Sequence, residues 1–157
     1  MKKVTDLNGI DLIDQAILQH LLQDSRRTYQ EIADDIKVSP GTVHGRISKM
    51  KEQGVITGSK ITLDFQKLGY NVCAFIGVNL ASARSLAPVL EKLQVLPEVL
   101  DVHYTTGQYS LFIKVQVRST QELHLFLINE LQSIEEIQST ETFISLDNPI
   151  HRSGLGQ

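Results

Sequence analysis

Apolar residues recur at helical spacing through the first third of the chain. Ile13, Ala16, Ile17 and Leu21 are spaced i, i+3, i+4 and i+8, which places them on one face of a helix. Asp11 precedes them, and its carboxylate suits the N-cap position, where it accepts a hydrogen bond from a free backbone N–H. The pattern therefore predicts a first amphipathic helix that begins after Asp11.

Two more helices are predicted, with a turn of three residues between them. The second opens at Thr28 and Glu31, a capping box in which each side chain bonds the other residue's backbone N–H. The third opens with Ser39 as N-cap and Pro40 at the first position, where a missing N–H costs nothing. The predicted buried positions of these two helices are Ile32, Ala33, Ile36, Val43, Ile47 and Met50. Two helices joined by so tight a turn are typical of the helix-turn-helix, whose second helix enters the major groove of DNA.

In the second half of the chain, apolar residues occupy every second position. This alternation predicts two long strands over 71–80 and 109–117. In the second of these, Tyr109 is expected on the same face as Leu111 and the later apolar residues.

The segments around these strands repeat one plan. A helix over Leu86–Leu93 and a short strand over Val99–Thr105 are predicted between them. After the second long strand, Ser119 and Glu122 form a further candidate capping box for a helix, and a strand near Ile137–Leu146 follows. The order βαββαβ predicts a ferredoxin-like sheet with both helices on one face, so the fold class is α+β.

The sheet face opposite the helices is predicted to be apolar, because it carries Cys73, Phe75 and Phe112. An exposed apolar face usually meets a partner, and a dimer is the favoured expectation. The alternative is that the first domain or the linker covers this face within one chain. Alternating apolar residues in the segment 57–70 predict an extended linker strand, so both arrangements stay open.

Charge is distributed unevenly along the 157 residues. Residues 1–60 contain nine Lys and Arg against eight Asp and Glu, whereas residues 61–157 contain six against ten. Five basic residues and a single acid, Glu52, fall within 37–60. The only cysteine, Cys73, excludes an internal disulfide framework, and without an apolar run of about 20 residues the chain is expected to be cytoplasmic.

The outward face of the third helix is the candidate DNA-binding surface. Its residues are small near the start of the helix, which permits close approach, and basic further along, which attracts phosphate. The alternative interpretation is a basic helix face that is merely solvated. Glycine inside a helix lowers helix stability by roughly 1 kcal/mol, so such a face would be more stable with other residues at positions 41 and 45. The candidate residues are Ser39, Gly41, Thr42, His44, Gly45, Arg46, Ser48 and Lys49.

Five segments together carry a resemblance to a known family. They read DLIDQAILQHLLQDSRRTYQEIA, VSPGTVHGRISKMKEQGVITG, LGYNVCAFIGV, HYTTGQYSLFIKV and INELQSIEEIQSTETFISLDNPI. The chain resembles the Lrp/AsnC family of bacterial and archaeal transcription regulators over nearly its full length, and within the family it is most similar to the asparagine-responsive members. The resemblance implies an N-terminal helix-turn-helix of the winged-helix type that binds double-stranded DNA. It also implies a C-terminal domain that dimerises through its sheet, with four dimers in an octamer.

The resemblance further implies an amino-acid effector, L-asparagine, bound between dimers. The turn after the short strand would supply Tyr104, Thr105, Thr106, Gly107, Gln108 and Tyr109, and the last strand of a neighbour would supply Gln138, Ser139 and Thr140. Amides and hydroxyls of these types can pair with a side-chain amide and a carboxylate. Relatives carry histidine at the position of Gln108, so this chain departs from the family pattern there. The alternative explanation of Gly107 is a hairpin turn that needs glycine whether or not a ligand binds.

The domain organisation predicted from these patterns has three parts. Residues 1–56 form the DNA-binding domain, 57–70 a linker strand, and 71–157 the effector-binding and oligomerisation domain. The expected function is regulation of transcription in response to asparagine, controlling asparagine biosynthesis and the protein's own gene; the alternative is a metabolite-binding regulatory module without DNA affinity. An enzyme is not expected, because the five histidines lack metal-ligand spacing and no phosphate loop or nucleophile elbow is present.

Overall fold

The structure is a computed structural model that describes residues 9–150, so His151 and the outer ends of the two predicted terminal domains lie outside it. The chain forms two compact units that divide between Thr62 and Leu63. No helix between residues 9 and 150 is long and apolar enough to cross a bilayer.

The described residues of the first unit form three helices: α1 (Leu12–Gln23), α2 (Tyr29–Ile36) and α3 (Pro40–Glu52). The predicted N-caps are confirmed for all three, and α1 has a full capping box in which Asp11 and Asp14 bond each other's backbone N–H at 2.9 and 3.1 Å. The buried core comprises Ile10, Ile17, Ile32, Ala33, Val43, Ile47 and Met50. The helical spacing therefore identified the inward faces of α2 and α3 correctly.

The turn between α2 and α3 is held in one conformation. Lys37 has a φ of 59°, the left-handed region, which costs an L-residue other than glycine roughly 1–2 kcal/mol. The N–H of Val38 donates to the Ala33 carbonyl at 3.1 Å and closes the end of α2. This tight closure fixes the angle at which α3 leaves α2.

The second unit contains four strands, two α-helices and a short 3-10 helix over Ala83–Ser85. The strands and α-helices are β1 (Val72–Leu80), α4 (Leu86–Leu93), β2 (Val99–Tyr104), β3 (Leu111–Val117), α5 (Thr120–Phe126, continued by a π-helical turn over Leu127–Leu131) and β4 (Ile137–Ile144). The strand order is β2-β3-β1-β4 and every neighbouring pair is antiparallel, which confirms the ferredoxin-like prediction. Both helices pack on one face through a buried core that includes Ile76, Val78, Ile113, Val89 and Leu123.

Two expectations about this unit are wrong. Tyr109 does not share a face with Leu111, because β3 begins only at Leu111 and the chain before it is still turning. The Tyr109 ring lies instead on the opposite face, 6.2 Å from the Phe112 ring. At the start of α5, Ser119 accepts from the Glu122 N–H as predicted, but the Glu122 carboxylate bonds the N–H of Arg118.

The linker strand is not formed within the chain. No strand is present between residues 57 and 70, and the side chains of Ile61 and Leu63 are 84% and 52% exposed. A strand needs a neighbour to receive its N–H and C=O bonds, and the described residues offer this segment none. The alternating pattern was therefore insufficient to produce a strand in a single chain.

Candidate DNA-binding and effector surfaces

The predicted DNA-binding residues line one side of α3, and the start of that side is open. Gly41, His44, Gly45 and Lys49 are exposed. A Cβ added at Gly45 would have no heavy atom within 4 Å, so packing inside the chain does not require glycine there. Interior glycine lowers helix stability by about 1 kcal/mol. A glycine that packing does not require therefore indicates that another molecule approaches this face closely.

Ser39 and Thr42 serve the helix itself. The Ser39 hydroxyl accepts from the Thr42 N–H at 3.1 Å and lies 2.8 Å from the Thr42 hydroxyl. These groups hold the first turn of α3 in place, and any contact with DNA would be additional to that role.

Arg46 differs from the outward cation expected from the sequence. Its Nη1 donates to the carboxylates of Asp11 at 2.6 Å and Asp14 at 2.9 Å, which ties the middle of α3 to the first turn of α1. Asp14 is buried, with 6% of its surface exposed, and Arg46 is its charged hydrogen-bond donor. Arg46 is therefore part of the structure that orients α3.

The hydrogen bonds of this contact shift the pKa of Asp11 and the pKa of Arg46 in opposite directions. The backbone bond from Asp14 lowers the pKa of Asp11 most, and the bond from Arg46 lowers it further. The same hydrogen bonds, to Asp11 first and then Asp14, raise the pKa of Arg46. Two carboxylates surround one guanidinium, so Arg46 adds no net positive charge to this surface.

Lys49 is the remaining cation among the predicted residues. It is exposed, and within residues 9–150 it makes no ion pair. A lysine of this kind suits contact with a phosphate, which attracts all DNA sequences alike.

We expect Lys49→Ala to weaken DNA binding about equally for all sequences. Loss of one phosphate contact should reduce the slope of log affinity against log salt concentration by about 1. The melting temperature should stay unchanged, because Lys49 is solvent-exposed and unpaired. Fluorescence anisotropy at several salt concentrations measures the effect, with Lys67→Ala, an exposed lysine of the other unit, as the control. An unchanged salt slope would remove Lys49 from the interface.

The candidate effector turn, residues 104–109, is pre-formed. The Thr105 N–H donates to the Ser110 carbonyl at 3.0 Å, and the Thr105 hydroxyl donates to the Tyr109 carbonyl at 2.8 Å. Gly107 has a φ of 110°, which an L side chain rarely adopts. The turn geometry alone therefore requires Gly107, and the Thr105 hydroxyl already has an acceptor. The exposed groups left for a ligand are those of Thr106, Gln108 and Tyr104.

The predicted residues of β4 lie at the same end of the sheet as this turn. Val78 of β1 pairs with Leu111 on one side and with Thr140 on the other, so β1 separates the two segments by about 10 Å. Thr140 shares the helix-covered face with Val78, whereas Ser139 lies on the open face and accepts a bond from the Asn79 amide at 3.1 Å. The three residues Gln138, Ser139 and Thr140 therefore do not point to a single side.

Glu141 and Gly77 belong to this region, although the sequence interpretation did not include them. The Tyr109 hydroxyl donates to the Glu141 carboxylate, and the Tyr109 ring crosses β1 above Gly77. A Cβ at Gly77 would come within 2.6 Å of that ring. Glycine in the interior of a strand is a signal of such close approach and could have identified the contact.

Four aromatic rings form a continuous cluster on the sheet face that the helices leave open. They are Phe75, Tyr109, Phe112 and Phe143, with neighbouring ring centroids 6.0–6.5 Å apart. We call this cluster the aromatic face. Phe75 and Phe112 were predicted there, and Tyr109 and Phe143 were not.

Comparison with known proteins gives matches over both units. The model of the Lrp/AsnC ligand binding domain matches residues 73–155, and the model of a winged helix-turn-helix DNA-binding domain matches residues 10–57. The chain is 49% identical to Regulatory protein AsnC of Haemophilus influenzae over 146 residues, which covers 93% of this chain and 97% of that protein. It is 50% identical to Regulatory protein AsnC of Escherichia coli (strain K12) over 144 residues, with 92% and 95% covered.

Solved structures are similar over the same extent. The structure of E. coli AsnC superposes with a TM-score of 0.87 at 49% identity and covers 92% of this chain and 97% of that chain. A transcriptional regulator of Neisseria meningitidis, solved as a complex with L-Met, gives a TM-score of 0.89 at 21% identity, with 93% and 96% covered. At that identity the second likeness concerns the fold alone.

Proposed function

Because this chain belongs to the Lrp/AsnC family of transcription regulators, we propose that it binds double-stranded DNA through α3 and responds to L-asparagine bound at the turn 104–109. The observation that carries the proposal is the presence, in one chain, of matches to a DNA-binding family model and to an amino-acid regulator's ligand-binding model. The protein is a regulator of transcription and not an enzyme. A metabolite-binding module without DNA affinity would not need the first of these domains.

The DNA-contacting residues proposed are the members of the α3 face whose side chains take no part in the helix cap or in the bridge to α1. Gly41 and Gly45 permit close approach, while His44, Ser48 and Lys49 supply polar contacts. Ser39, Thr42 and Arg46 act mainly by holding α3 in position, through the cap and the bridge to α1. We propose that the DNA bound includes the regions upstream of the protein's own gene and of genes for asparagine biosynthesis.

The proposed effector site combines groups that have no partner within the part of the chain that the structure describes. Among residues 9–150, the side-chain amides of Gln108 and Gln138 make no hydrogen bond and both are exposed. An amide can donate to and accept from the side-chain amide of asparagine, and the hydroxyl of Thr106 can donate to its carboxylate. Because β1 separates the turn from Gln138, we propose that the two meet across a subunit boundary.

The proposed assembly is a dimer through the aromatic face, with four dimers in an octamer. Aromatic residues are enriched at protein interfaces, and the Phe143 ring of this cluster is 44% exposed in one chain. The proposed domain boundaries stay at 1–56, 57–70 and 71–157, with the middle segment free to find a partner in another subunit.

We expect asparagine to bind the wild-type protein and aspartate to bind at least tenfold more weakly. A site that pairs with an amide leaves donors or acceptors unmatched when a carboxylate replaces it, and such mismatches discriminate strongly. Gly107→Val should abolish asparagine binding, since valine strains a backbone with a φ of 110°. Calorimetry with asparagine, aspartate, glutamine and leucine is the measurement.

The control is Gly58→Val, at an exposed glycine with open space around it. It should bind asparagine like wild type. If no amino acid binds the wild type at millimolar concentration, or if the Gly107 variant binds asparagine normally, the effector site is misplaced. Gel shifts of upstream DNA with each of the twenty amino acids would then identify the effector independently.

A further inference from the structure

A contact between α2 and the DNA-facing side of α3 has no role in the core. The rings of Tyr29 and His44 lie with their centroids 5.5 Å apart and their planes inclined by 57°. Tyr29 is 37% exposed and His44 is exposed, so neither ring is needed to fill the interior. The geometry is that of a tilted aromatic pair on the protein surface.

His44 occupies a special place on α3. It lies in the second turn of the helix, directly before Gly45 and three residues after Gly41, so no side chain carbon flanks it at those positions. Recognition helices contact base edges with residues near their N-termini. An imidazole can donate from one ring nitrogen and accept at the other, and it can therefore bond the N7 or O6 of guanine or the amino group of a neighbouring base.

The backbone at Tyr29 is anchored by the N-terminal cap of α2. It is the first residue of α2, and the preceding turn is fixed by the bonds between Thr28 and Glu31, at 2.7 Å from the Thr28 N–H and 3.2 Å from the Glu31 N–H. Fully buried Ile32 of α2 and Val43 of α3 belong to one core cluster, which joins the two helices that carry the ring pair. The backbone that carries Tyr29 is therefore held in place at the start of α2.

We propose that Tyr29 is a positioning residue that orients the His44 imidazole toward a base edge in the major groove, and so contributes to sequence specificity. This inference rests on the proposed function, because it requires DNA binding through α3. An exposed histidine on its own samples several rotamers, and each must be lost when it bonds a base. Contact with the Tyr29 ring, which an anchored backbone carries, removes part of that freedom before DNA arrives and so strengthens the bond to the preferred base over the others.

The test compares binding to an upstream operator with binding to a set of operators in which single base pairs are replaced. Tyr29→Ala and His44→Ala should each reduce discrimination, by about tenfold, at the same base pair. The double variant should lose little more than His44→Ala alone, because the effect of Tyr29 passes through His44. Tyr29→Phe keeps the ring and should discriminate like wild type. Gln30→Ala, at the exposed neighbour of Tyr29, is the matched control and should change nothing.

Several results would overturn the inference. One is a loss of affinity in Tyr29→Ala that is the same for all operators. Another is a double variant whose loss of discrimination, as a free energy, equals the sum of the losses in the two single variants. A Tyr29→Phe variant as defective as Tyr29→Ala would assign the role to the hydroxyl. If Tyr29→Ala lowers the melting temperature, Tyr29→Leu gives the same comparison with apolar volume retained. A wild type that binds no DNA would refute the proposed function itself, which is a separate outcome.

Discussion

Phe112→Asp is expected to convert the protein to monomers at micromolar concentration. Phe112 is the centre of the aromatic face, with ring centroids 6.0 Å from Phe75, 6.2 Å from Tyr109 and 6.3 Å from Phe143. If this surface is desolvated between subunits, a carboxylate there has no partner and costs several kcal/mol per subunit. Because a twofold interface uses the same surface on both subunits, one substitution introduces two such charges. Light scattering at a series of concentrations measures the mass.

The fold of the second unit should survive this substitution. The helix-covered core uses the other face of the sheet, where Ile113 and Val78 are fully buried. Circular dichroism should therefore keep its wild-type shape. Val95→Asp, at a residue 72% exposed in the loop after α4, adds the same charge away from the aromatic face and should leave the mass unchanged. A monomeric wild type, or an unchanged mass for Phe112→Asp, would remove the aromatic face as an interface.

The sequence alone was sufficient to predict the structure wherever the interactions that determine it are local. Capping boxes join residues three positions apart, so Thr28 with Glu31 could be paired from spacing alone. Helical periodicity likewise identified Val43, Ile47 and Met50 as one buried face. Strand alternation and the βαββαβ order were enough for the topology, since few arrangements of those elements are sterically possible.

What the sequence could not provide depends on where strands begin and on distant contacts. The alternation predicted that the strand includes Tyr109, but the turn ends only at Ser110, and the ring of Tyr109 consequently lies over Gly77 as part of the aromatic face. Glu141 contacts Tyr109 only because β4 and β3 flank the same strand. In the linker the alternating pattern predicted a strand that is not formed, because no strand among residues 9–150 lies beside it.

Arg46 shows the same difficulty on the DNA-binding side. Spacing placed it on the outward face of α3 among residues that suit DNA. Its acceptors, Asp11 and Asp14, lie more than 30 positions earlier in the sequence and are brought to it only by the packing of α1 on α3. Basic character near a recognition helix therefore indicates either a phosphate contact or a structural ion pair, and only the tertiary structure distinguishes them.

Arg46→Ala is accordingly expected to destabilise the helical unit by about 1–3 kcal/mol, the cost of leaving the buried Asp14 carboxylate without its charged donor. The value lies below that of a fully buried ion pair because the Arg46 side chain is 29% exposed. Amide hydrogen exchange at Ile17 and Ile47, which lie in the core of this unit, measures it without assuming that both units unfold together. Lys49→Ala, on the same helix and without an ion pair, should leave both exchange rates at the wild-type level.

The destabilisation should also depend on pH in a defined direction. In the folded state the pKa of Asp11 is lowered from its ordinary value of 3.8, by the Asp14 backbone bond first and by Arg46 second. A lowered carboxyl pKa stabilises the folded state above the ordinary value, and that stabilisation is lost as the pH falls through the folded-state pKa. The part of this stabilisation that comes from Arg46 is missing in Arg46→Ala at every pH. The free energy of unfolding of the two proteins should therefore differ most near pH 7, and the difference should become smaller below about pH 4. Equal stability of the two proteins at pH 7, or a difference that grows on acidification, would show that the bridge between α1 and α3 does not stabilise this unit.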